Sequence, residues 1–154
     1  MLNALGLSEA ARAFREGLLH YRNHYHGKAL EAFQRSVELE PGNALSLSYL
    51  GLLVALVQRN YSVAEQLGQE ALRLRHNEAQ CYVNLSEVYV RAGQRADAVE
   101  CLTTGLQYTK RDARLVRALH NLGVRRRPVL RFLGRQNLLN RGLGRARHRL
   151  LGAK

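Results

Sequence analysis

An alanine recurs at Ala29, Ala64 and Ala98, at separations of 35 and then 34 residues, and each copy carries similar neighbours. Phe33, Ser36, Leu39 and Pro41 follow the first. Leu67 or Gly68, Ala71 and Leu74 follow the second. Leu102, Gly105 and Tyr108 follow the third. Offsets of three, four and seven place each set on one face of a helix. A registered period of this length constrains the fold more than any other feature. One such unit cannot bury its apolar face alone, so successive units must stack on each other.

The stretch before each alanine completes the unit. Leu50-Gly51 and Leu85-Ser86 stand 35 apart, and Gly17 holds the same place in the first copy with Glu16 in front of it. Leu85 and Tyr89 are four apart and share a helical face. Gly93 ends that helix, because glycine enters the left-handed cap conformation without steric cost. Ala98, Leu102 and Gly105 then mark a second helix whose small residues permit close approach. The pattern resembles the tetratricopeptide repeat (TPR), whose period is about 34 residues. The resemblance covers residues 10–124. It implies an all-α fold, a right-handed superhelical array of antiparallel helix pairs. Repeats are expected at about 10–43, 44–77 and 78–111, after a lead-in of 1–9 and before a capping helix of 112–124.

Local signals punctuate this array. Ser8, Asn43, Asn77 and Asp112 are the expected N-caps, since their side-chain oxygens accept from orphan amides of a first turn. Pro41 cannot continue a helix. One extra residue in the turn Arg59-Asn60-Tyr61-Ser62 is expected to account for the 35-residue spacing. The seventh helix, Ala113 to about Val124, bears an apolar stripe of Leu115, Val116, Leu119 and Leu122. A solenoid needs such a cap, because its last repeat otherwise exposes an apolar face.

Charge divides the chain. Residues 1–109 hold 10 Lys and Arg against 11 Asp and Glu, a net of −1; residues 110–154 hold 14 against the single Asp112, a net of +13. A balanced repeat body therefore carries a basic appendage. In the tail, 125–154, Leu139, Leu143, Ala146 and Leu150 fall on one helical stripe beside Arg141, Arg145 and Arg149, an amphipathic basic pattern. Gly142 and Gly144 weaken it by about 1 kcal/mol each relative to alanine. Arg125, Arg126, Arg127, Arg131, Arg135, Arg141, Arg145, Arg147 and Arg149 are the candidate contacts to an anionic partner: an acidic protein, a nucleic acid or an anionic lipid surface. Phosphate contacts by arginine would be strongly salt-dependent. Phe132 is the tail's one aromatic, which argues against reading of single strands by base stacking.

Other classes find little support. The uncharged stretch Leu45 to Gln58 is too short to span a bilayer, and Glu9 and Glu16 near the start are unlike a signal peptide. A cytoplasmic protein is expected, not an integral membrane one. There is no Gly-rich phosphate loop, GxSxG, HExxH or CxxC pair, so no enzyme and no cofactor is expected. His20, His24 and His26 lie close together but lack an acidic or thiolate companion in sequence, so they are not expected to hold a metal. Cys81 and Cys101 are expected as small apolar core residues.

The resemblance implies a protein–protein interaction module that receives a peptide or amphipathic helix of another protein along the first helices of its repeats. That register assigns Phe14, Leu18, Tyr21 and Arg22 from the first repeat. Ser48, Leu52, Ala55 and Leu56 come from the second, and Gln80, Val83, Glu87, Val90 and Arg91 from the third. Arg114, Arg117 and Asn121 come from the last helix. Chaperone-binding members of the family grip a terminal carboxylate with lysine and asparagine in the first repeat, where this chain has Phe14 and Leu18. An amphipathic helix read by spaced apolar anchors suits such a groove better. The segment Val129 to Leu151 offers anchors of that kind within the chain itself, and is expected to fold back across the groove, where a partner displaces or joins it.

Overall fold

The computed structural model describes residues 8–123. Seven α-helices run through them: α1 (Glu9–Arg22), α2 (His26–Leu39), α3 (Ala44–Leu53), α4 (Tyr61–Leu74), α5 (Ala79–Arg91), α6 (Arg95–Tyr108) and α7 (Ala113–Asn121). No strand occurs among the described residues. The helices pack in sequential pairs, α1 on α2, α3 on α4 and α5 on α6. Neighbouring pairs stack through α2 on α3, α3 on α5 and α4 on α5, and α7 closes the array on α5 and α6. This is an all-α helical-repeat solenoid.

Most of the expected caps form. The Ala11 amide donates to Ser8 Oγ at 3.1 Å, Ser46 to Asn43 Oδ1 at 3.1 Å and Arg114 to Asp112 Oδ1 at 2.8 Å. Gly93 takes φ +78°, the left-handed value that ends α5. Two expectations need correction. Asn77 does not cap α5; Glu78 does, its carboxylate accepting from the Gln80 amide at 3.2 Å. The extra residue of the second repeat does not lengthen the turn either. A π-helical segment, Val54–Gln58, prolongs α3 and absorbs it, since a π turn holds one residue more than an α turn. Arg59 at φ 55° then reverses the chain, and Asn60 caps α4 by accepting from Val63 at 3.2 Å.

The repeating residues are the packing contacts. Ala29, Ala64 and Ala98 are all fully buried. A Cβ on Gly51 would lie 2.8 Å from the Ala64 carbonyl oxygen, so the close crossing of α3 and α4 requires glycine there. Gly68 occupies the slot filled by Phe33 and Leu102 in the other repeats. Leu85 of α5 takes up the room, and a Cβ on Gly68 would meet its Cδ1 at 2.7 Å. Buried hydroxyls are paired across the first repeat boundary: Ser36 Oγ lies 2.8 Å from Ser46 Oγ and donates to the Ala10 carbonyl at 3.2 Å.

Candidate functional site

Side chains from α1, α3, α5 and α7 form one continuous face. Its floor is aromatic. The Tyr49 ring stacks on buried Phe33, centroids 5.0 Å apart and planes 5° from parallel. Phe14 and Tyr21 meet Tyr49 edge-on at 6.1 and 5.7 Å. Aromatic pairs favour such edge and offset arrangements because ring edges are positive and faces negative. Phe14, Leu18, Tyr21, Tyr49 and Leu56 are all partly exposed while resting on the core. They offer apolar area to a ligand without having to rearrange.

Charge surrounds this floor. Burial raises the pKa of the Tyr21 phenol, and nearby Glu87 on α5 adds to the shift. Burial is also the main reason that the Tyr49 pKa is raised, with Arg22 and Arg114 opposing the shift. Both phenols are therefore neutral hydrogen-bonding groups at neutral pH. Arg91 pairs with Glu87 at 2.8 Å one turn along α5. Arg114 is held between Asp112 at 2.9 Å and Glu78 at 3.5 Å. Arg22 and Arg117 have no carboxylate within 4.0 Å among the described residues.

The structure places the register-assigned residues unequally. Phe14, Leu18, Tyr21, Leu56, Gln80, Val83 and Glu87 are partly exposed, and Arg22, Val90, Arg91, Arg114, Arg117 and Asn121 are exposed. Ser48, Leu52 and Ala55 are not on the face: they are 1–2 % exposed. The α3 helix sits between two neighbours, and those residues turn into the core, where Ser48 Oγ accepts from Asn84 Nδ2 at 3.0 Å. Tyr49, which the register did not assign, is partly exposed in their place. Its signal was the one aromatic in a helix otherwise of alanine, leucine, serine and glycine. Arg125, Arg126, Arg127, Arg131, Arg135, Arg141, Arg145, Arg147 and Arg149, with the segment Val129 to Leu151, lie outside the described residues.

No group of three or more His, Cys, Asp or Glu side chains able to share a metal ion is found among the described residues. Both cysteines are free thiols. Burial pushes Cys81 up to about 11 and Cys101 up to about 12, so neither is a ready nucleophile at neutral pH. No helix among the described residues is long and apolar enough to cross a membrane.

No protein-family model matches the chain. Human tetratricopeptide repeat protein 7A is 37% identical over 76 residues, which are 49% of this chain and 9% of that protein. The chain thus matches only a small part of this relative's length. Among solved structures, the Sgt2 TPR domain from Aspergillus fumigatus superposes with a TM-score of 0.66 at 14% identity, over 77% of this chain and 79% of that one. The first TPR of Spaghetti (RPAP3), solved bound to the HSP90 peptide SRMEEVD, gives 0.63 at 12% identity over 75% and 94%. The period, the paired helices and these likenesses agree: the chain has the helical-repeat fold of tetratricopeptide repeat domains.

Proposed function

We propose that this protein is a non-enzymatic interaction module whose α1–α3–α5–α7 face receives an amphipathic helix or peptide of a partner protein. One observation carries the reading: an aromatic floor of Phe14, Tyr21 and Tyr49, already packed in place and still partly exposed, with Arg22 beside it and Arg117 on α7 both exposed and without a carboxylate partner among the described residues. A prearranged floor lowers the ordering cost of binding. The apolar residues accept the anchors of the ligand, and the arginines accept acidic residues beside them. The RPAP3 domain, on the same fold, was solved with a peptide that carries three acidic residues, SRMEEVD. Here Phe14 and Leu18 favour apolar anchors over a terminal carboxylate at the α1 end.

The test is capture of partners by the full-length protein from its own cell lysate, with nuclease present. Val90→Glu and Arg22→Glu alter exposed positions and leave the core intact. The captured protein is expected to be lost from both variants while their thermal midpoints stay near that of the parent. Retention by both variants would sink the reading.

A second reading rests on the net charge of +13 in residues 110–154: an anionic partner, nucleic acid or lipid surface, held by the arginines of 125–154. Material lost on nuclease treatment or in moderate salt favours it, because counterion release makes such binding steeply salt-dependent. Liposome binding separates lipid from nucleic acid.

A further inference from the structure

The opposite side of the array carries a cleft that the proposed groove does not use. Its volume is about 480 Å³; α5 forms its floor, and α4 and α6 form its walls. The floor and lower walls are apolar, with Leu72, Leu85 and the ring of Tyr89. The rim is acidic: Glu65 on α4 faces Asp97 and Glu100 on α6, and no lysine, arginine or histidine lines the cleft. Asp97 and Glu100 have no cation within 4.0 Å among the described residues.

Two observations set this cleft apart from a merely solvated acidic surface. First, Glu65 is held in place. One of its carboxylate oxygens accepts from Tyr89 Oη at 3.0 Å and from Gln69 Nε2 at 2.9 Å, which leaves the other oxygen without a donor among the described residues. Second, the repeat fold does not require the acids. One repeat earlier the corresponding positions are Leu30, Val63 and Gln66, and the same helix pairing forms without a single carboxylate among them. Three acids thus meet at the α4/α6 cleft without a lining cation, in a protein whose net charge is +12.

We infer that the α4–α5–α6 cleft is a second docking site, for a cationic amphipathic segment of a partner protein. Its leucine-like anchors would lie on Leu72, Leu85 and Tyr89, and its arginines or lysines would pair with Glu65, Asp97 and Glu100. Charge complementarity sets the class of ligand: three acids around an apolar floor reject acidic or neutral peptides of the same shape. The site is independent of the α1–α3–α5–α7 face and lies on other side chains, so the protein presents an acid-accepting face and a base-accepting face to two partners.

The test uses the full-length protein and a synthetic 20-residue amphipathic peptide with arginines four residues apart and leucines between them. A second peptide has glutamate in place of each arginine. Binding is followed by calorimetry at low and moderate salt. The arginine peptide is expected to bind and the glutamate peptide not. The combined change Glu65→Gln, Asp97→Asn and Glu100→Gln is expected to weaken binding by about ten-fold, the order given by three partly exposed ion pairs. Gln at 65 keeps an acceptor for Tyr89, so the fold should be undisturbed, and an unchanged thermal midpoint checks this. Arg22→Glu, on the other face, should leave the affinity unchanged. Equal affinity of the triple variant overturns the inference, as does equal binding of both peptides. Binding that emerges only once Arg141, Arg145 and Arg149 are changed to Gln also overturns it, because the chain's own cations would then be the occupant.

Discussion

Single positions in this array are governed by how closely two helices approach. Gly51 shows it most sharply. Alanine there gains up to about 1 kcal/mol of helix propensity, but its Cβ would sit 2.8 Å from the Ala64 carbonyl, which is backbone and cannot step aside. Overpacking of that kind costs about 1–3 kcal/mol. Gly51→Ala is therefore expected to lower the urea midpoint, whereas Gly27→Ala, with nothing within 4 Å of the new methyl, should leave it level or raise it slightly. Equal midpoints for the two variants would remove the close-approach argument. The thiols supply a pH prediction. Burial raises Cys81 from 9.0 to about 11 and Cys101 from 9.0 to about 12. Below pH 9 both states hold the proton and stability is unaffected. Above it the unfolded chain releases protons that the folded chain retains, so stability falls as pH rises towards 11, by about 1.4 kcal/mol per pH unit for each thiol. The tyrosines, whose shifts start from 10.0, join later. Cys81→Ala should therefore flatten the stability profile between pH 9 and 10, measured by denaturant titration against the parent.

At the level of elements, the sequence showed what recurs and hid what happens once. Ala29, Ala64 and Ala98 fix helix pairing because the same contact is made three times, whereas the left-handed turn residue is a readable glycine only at Gly93, with His24 and Arg59 in the other turns. The π-helical segment Val54–Gln58 could not be read, since nothing in Val-Ala-Leu-Val-Gln distinguishes a helix that widens from a turn that lengthens. Only the 14-residue separation of Leu50 and Ala64, against 13 for Leu85 and Ala98, recorded the insertion. The positions assigned on α1, α5 and α7 are all at least partly exposed. On α3 the register is off: Ser48, Leu52 and Ala55 are buried, and Tyr49 is the residue left partly exposed. The insertion can be tested directly. Deleting Val57, which is 44% exposed, should convert the π segment to α-helix and restore the shorter spacing, with a cooperative melt and little change in helical circular dichroism. Deleting Val88, buried at 2 % in the regular α5, should abolish cooperative folding, because every later residue of α5 rotates off its face.

On the scale of the whole molecule, each repeat touches only its neighbours, so stability is a sum of local terms rather than a property of one core. Three apolar clusters follow the chain in order: one centred on Phe33, Leu53 and Leu85, one on Ala44, Leu47 and Cys81, and one on Tyr82, Leu102 and Leu115. The last cluster depends on α7, a helix of nine residues that contributes Leu115 as its one fully buried side chain. Leu115→Ala removes that contact and opens a cavity beside Tyr82 and Gly105, at a cost of about 2–5 kcal/mol. In a globular core the loss would be shared by every amide. In a linear array it should be confined: α6 and α7 lose hydrogen-exchange protection first, α5 in part, and α1 to α4 retain theirs. Phe33→Ala, at the other end, should reverse the order and expose α1 and α2 while α7 stays protected. Uniform loss in either variant would show that the repeats melt as one unit. A confined loss would mean that the α1–α3 end of the proposed partner face and the α4–α6 cleft can open separately, so that a ligand at one end would steady its own repeats without tightening the other.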